Sequence, residues 1–64
     1  MKIVYELTTN YGGGLFENEN DAIHALQMFG SYHDKVINKT DVKTALEKEG
    51  YYENWPLSIR KCED

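Results

Sequence analysis

The stretch Lys2-Ile3-Val4-Tyr5-Glu6-Leu7-Thr8-Thr9-Asn10-Tyr11-Gly12-Gly13-Gly14-Leu15-Phe16-Glu17 decides how the chain begins to fold. Residues 2–9 set Ile3, Tyr5 and Leu7 against Lys2, Glu6 and Thr8, the two-residue alternation of a strand with one buried face. Val4 interrupts the polar side, so that side is not expected to be wholly water-facing. Three successive glycines are costly in regular structure and permit positive φ, which predicts a turn over residues 10–14. Leu15-Phe16-Glu17 then returns as a short strand, and residues 2–17 read as a β-hairpin.

Beyond the hairpin the period changes. Asn18 is a helix cap, with Glu19 and Asp21 placed where the helix dipole favours negative charge. Ala22, Ile23, Leu26 and Phe29 form one apolar stripe, so a helix is expected over 19–29 with Gly30 as its stop. His33-Asp34-Lys35-Val36-Ile37-Asn38 reads either as a short strand or as a tethered loop. Thr40 is expected to cap a second helix that carries Val42, Ala45 and Leu46 and ends before Gly50. Tyr51-Tyr52-Glu53-Asn54-Trp55-Pro56 cannot continue that helix, because the residue before a proline is pushed out of the α region. Leu57-Ser58-Ile59-Arg60-Lys61-Cys62 alternates again and reads as the last strand. The expected order is β-β-α-(β)-α-β: an α+β fold, with a small antiparallel sheet and two helices packed on one face.

Length and composition bound what such a fold can do. Sixty-four residues are room for one compact domain over residues 1–64, with a small core. Seven basic and eleven acidic residues give a net charge of −4, which argues against general binding to nucleic acid or anionic membranes. A hydrophobic fraction of 41% is too rich for a disordered tail. The single cysteine, Cys62, cannot make an internal disulfide. Glu6 ends the first apolar run, and no run is long enough for a signal peptide or a membrane span, so a cytoplasmic location is expected.

Catalytic patterns do not emerge. The triple glycine leads into Leu15-Phe16-Glu17 rather than directly into a helix N-terminus, which is not the layout of a phosphate loop. His24, His33 and Cys62 lack the number and spacing of metal ligands. Asn18-Glu19-Asn20-Asp21 lacks the glycine and distal glutamate of a calcium loop. Neither a cofactor nor an enzymatic activity is therefore expected. Lys35, Lys39, Lys43, Arg60 and Lys61 are the basic residues of a nucleic-acid regulator, but Asp34 and Asp41 are interleaved with the lysines. Direct nucleic-acid binding is the weaker reading.

A surface remains. Five tyrosines and Trp55 exceed what so small a core can bury, and these residue types dominate binding hot spots. Tyr5 and Trp55 are expected to pack at the core or its rim. Tyr11, at the hairpin tip, and Tyr51, Tyr52 and Trp55 are the candidate partner-binding anchors, with Glu49 and Glu53 as a charged rim. An acidic rim around aromatic groups suits one larger partner with a basic surface. A homodimer that buries an edge strand is the alternative.

The opening arrangement also resembles that of many small bacteriophage-encoded proteins: the strand Lys2-Ile3-Val4-Tyr5-Glu6-Leu7, a glycine turn, Phe16-Glu17, then a helix with Asp21-Ala22-Ile23 and Leu26. The resemblance covers about the first 30 residues. It implies an early or accessory protein that binds and redirects a host machine, such as RNA polymerase, a nuclease, a CRISPR effector or a cell-division protein, in the host cytosol.

Overall fold

The computed structural model describes residues 2–63. Six elements follow one another: β1 (Ile3–Thr9), β2 (Gly12–Phe16), α1 (Glu19–Tyr32), α2 (Lys39–Lys48), β3 (Tyr51–Asn54) and β4 (Leu57–Glu63). The four strands form one antiparallel sheet in the order β2-β1-β4-β3, so two local hairpins are joined along the first and last strands. The α+β class is as the sequence implies. Residues 33–38 take the loop alternative rather than the strand, and one element differs: Tyr51–Asn54 form a strand.

Alternation sorts the strands into two faces. Tyr5, Leu7 and Thr9 of β1 stand beside Leu57 and Ile59 of β4 and Tyr52 of β3, all toward the helices. Ala22, Ile23 and Leu26 of α1, Ile37 of the connecting loop, and Val42 and Leu46 of α2 close over them as one buried cluster. The helices thus cover a single face of the sheet.

The glycines explain the first hairpin. The turn is only Asn10-Tyr11, and all three glycines belong to β2 rather than to the turn the sequence suggests. Gly12 takes a φ of 120°, which completes the chain reversal where a side chain would be strained. A Cβ on Gly13 would run into the carbonyl oxygen of Leu7, so the two backbones approach there as only glycine permits. Thr9, itself buried, staples the turn: its Oγ1 donates to the Gly12 carbonyl at 2.6 Å and accepts from the Tyr11 N–H at 3.0 Å.

Two of the four helix ends depart from expectation. Asn18 caps α1 as expected, its Oδ1 accepting from the Asp21 N–H at 3.2 Å. The helix nevertheless runs through Gly30 to Tyr32. Gly30 is a packing position: a Cβ there would lie 2.7 Å from Ile37 Cγ1. Its carbonyl accepts from the N–H groups of both His33 and Lys35, and Asp34, at φ 56°, takes the left-handed place that ends the helix. α2 is capped by Asn38, not by Thr40; the Asn38 Oδ1 accepts from Thr40 N–H at 2.8 Å and Asp41 N–H at 3.2 Å. Gly50, at φ 81°, ends that segment as the sequence implies, and its carbonyl accepts from Lys61 N–H of β4.

Candidate functional site

Two tight turns lie at the same end of the sheet. Thr8 pairs with Ser58 near the close of β1 and the start of β4, so the Asn10-Tyr11 and Trp55-Pro56 turns project side by side beyond that end. The Trp55-Pro56 peptide is cis. Trp55 is 80% exposed and Tyr11 is 69% exposed. Tyr11 sits at the hairpin tip as expected. Trp55 does not pack at the core or its rim: it stands in the two-residue turn beyond the end of β3 and β4.

The segment between α1 and α2 is tied to both turns. The His33 ring stacks on Tyr11 with centroids 5.7 Å apart, and its Nε2 lies 3.0 Å from Asn10 Oδ1. Lys35 Nζ donates to Asn54 Oδ1 at 3.0 Å, immediately before Trp55. Gln27 Nε2 donates to the Ile37 carbonyl at 3.1 Å and holds the same segment to α1. Residues 33–38 are therefore a tethered loop that braces the two aromatic turns. Val36 at its crest is fully presented to solvent.

The other candidate residues are distributed differently. Tyr52 faces the helices, half-buried against the core, and its hydroxyl accepts from Asn54 Nδ2 at 3.4 Å. It is a packing residue in this fold. Tyr51 and Glu53 alternate with it and therefore face the opposite, uncovered side of the sheet, both exposed. Glu49 is the C-cap of α2, next to the start of β3 and so at the end of the sheet away from Trp55. Contiguity in sequence thus does not become one patch: Tyr11 and Trp55 share an end, Tyr51 and Glu53 share a face, and Glu49 stands apart.

Sequence reasoning missed the companions of Tyr11. His33 stacking and the brace by Lys35 depend on α1 running one turn further than its apparent glycine stop. Lys35 is engaged by Asn54, Lys43 lies 3.8 Å from Glu19, and Arg60 donates to Glu6 at 2.9 Å. The basic residues that would serve a nucleic-acid reader are thus dispersed and partly matched by acids.

Three ionisable groups feel their neighbours. The Tyr5 phenol is raised above its ordinary value, first by burial and then by the Glu19 carboxylate, to which its hydroxyl donates at 3.3 Å. The Glu17 carboxyl is lowered by its hydrogen bond and ion pair with Lys2. Arg60 is held in its charged form by Cys62 and then by Glu6. Tyr5 is thus tied to α1, while the other two groups interact within the sheet or at its edge. No helix of the described residues is long and apolar enough to cross a membrane. Compared with family models, with curated proteins and with solved structures, the chain matches none.

Proposed function

We propose that the chain is a non-enzymatic binding module that modulates one larger protein, gripping it with the aromatic turns at one end of the sheet. The exposure of Trp55 carries this reading. An indole 80% in water, at the tip of a two-residue turn, adds nothing to the packing of a core that closes without it. Trp and Tyr are the residue types that most often supply binding energy when a partner desolvates them. Tyr11 stands on the neighbouring turn, its ring stacked on His33, so that ring is held ready rather than ordered on contact. Glu53 lies two residues before Trp55, Asp34 follows the His33 that stacks on Tyr11, and the net charge of −4 favours approach to a basic surface.

The resemblance of the first 30 residues to small bacteriophage proteins gives the partner a class. We take it to be a host nucleic-acid-handling machine in the cytosol (RNA polymerase, a nuclease or a CRISPR effector), whose basic channel the module obstructs. The test is capture from a nuclease-treated bacterial lysate with the wild-type chain and with the Tyr11→Ala/Trp55→Ala double variant. One dominant protein should be retained by the wild type, and the double variant should bind it at least about 30-fold more weakly, the equivalent of about 2 kcal/mol. Equal binding by a well-folded double variant would overturn the assignment of the site. Recovery of nucleic acid alone would overturn the function.

A further inference from the structure

The uncovered face of the sheet has an order of its own. Register places Leu15, Glu6, Arg60 and Tyr51 in one row across the four strands. Thr8, Ser58 and Glu53 form the row on one side, and Val4 beside Cys62 the row on the other. The long row reads apolar, acid, base, aromatic, and the sheet's midline passes between the acid and the base. Leu15 is 70% exposed and Tyr51 is 49% exposed, so this face is not the plain polar surface that usually meets water on an antiparallel sheet.

We propose that this face is the interface of a homodimer, in which a second copy packs face to face across a two-fold axis running along the strands between β1 and β4. That operation sets β1 against the partner's β4. Leu15 then meets the partner's Tyr51, Glu6 meets the partner's Arg60, Thr8 meets the partner's Ser58, and Val4 meets the partner's Cys62. Every contact occurs twice, as an isologous interface requires. Two sheets stacked this way keep their strands nearly aligned, the common arrangement for packed sheets. Alone, the exposed Glu6–Arg60 pair is worth little. In the dimer each carboxylate lies between two guanidinium groups, which fixes the register, while the apolar pairs supply the affinity.

The footprint sets the strength. Four strands about 4.8 Å apart and about six residues long give a flat area of roughly 400 Å² per copy. A standard interface buries about 800 Å² per partner, so the association is weak and concentration-dependent. Glu53 apart, this face is separate from the turns that carry Tyr11 and Trp55, and the variants that test the dimer leave those turns untouched.

Charge exchange tests it. Sedimentation of the wild-type chain over rising concentration should move from the monomer mass toward twice that mass. Glu6→Arg and Arg60→Glu should each remain monomeric at the concentrations where wild type pairs, because each variant sets like charges against itself. An equimolar mixture of the two should associate, since the cationic face of one then meets the anionic face of the other. Leu15→Lys, on an exposed side chain that the monomer does not need, should also remain monomeric. Overturning results would be wild type at the monomer mass throughout, either charge variant pairing as wild type does, or a mixture that stays monomeric.

Discussion

The two faces of the sheet come from the same four strands, yet they do opposite work. Toward the helices, Leu7, Leu57 and Ile59 are sealed from water and meet Leu26, Val42 and Leu46. One residue along each strand, Glu6, Ser58 and Arg60 look outward and touch only their neighbours in the sheet. Stability is therefore concentrated on one side, leaving the other free to vary or to bind. The difference teaches that the aromatic surplus of this chain is not one population: Tyr5 and Tyr52 serve the covered side, while Tyr51 serves the open side and Tyr11 and Trp55 serve the end.

The sharpest way to break the comparison is to truncate neighbours on β4. Ile59→Ala should cost about 2–5 kcal/mol by lost burial and cavity formation, comparable with the whole stability of so small a core. Ser58→Ala, one residue away on the open face, should change stability by less than about 0.5 kcal/mol. Chemical denaturation of both variants checks the contrast, and similar losses would mean that the open face is as structural as the covered one. A second strike falls where β1 and β2 approach most closely. Gly13→Ala should cost more than about 1 kcal/mol, because the new methyl collides with the Leu7 carbonyl. An unchanged denaturation midpoint would show that the close approach is not needed.

The smallest effect is read by pH. The folded Tyr5 phenol titrates above its unfolded value because burial and Glu19 disfavour the phenolate. The stability this contributes is fully present below the unfolded value, near 10, and is lost as the pH rises through the higher folded value. In an ultraviolet titration Tyr5 should therefore give a late step, above the ordinary phenol value. Tyr5→Phe should remove that late step and cost about 1 kcal/mol at neutral pH. A titration with no step above the ordinary phenol value, and with Tyr5→Phe changing nothing, would overturn this reading of Tyr5.

Much of the covered face was legible because burial leaves a period. Ile3, Tyr5 and Leu7, then Ala22, Ile23 and Leu26, then Leu57 and Ile59 announce strand, helix and strand by spacing alone. The rest was hidden in residues whose local preference yields to packing. Glycines 12–14 look like a loop, but β1 supplies their hydrogen bonds and Gly13 fits where nothing larger can. Gly30 looks like a stop, but Ile37 needs the space above it. Tyr51–Asn54 and Leu57–Cys62, two runs separated by only two residues, carry the hairpin signal, although the proline between them is no usual hairpin-turn residue. For the candidate site, the exposed Tyr11 was readable from its turn. The inward side of Tyr52 and the outward swing of Trp55 depend on a strand whose register only the fold supplies.

The centre of the sheet is made from the beginning and the end of the described chain: Glu6 and Arg60, neighbours in space, are separated by 54 positions in sequence. During synthesis, β1 and β2 leave the ribosome with one long edge of β1 unfilled, and both helices follow with half of their floor missing. Nothing local can substitute, because β3 reaches the sheet only through β4. Folding is thus an event of a chain that already contains β4, and a translation product ending at α2 or β3 would leave an open strand edge beside bare Leu and Ile side chains. Such a fragment is a substrate for proteases or a seed for aggregation.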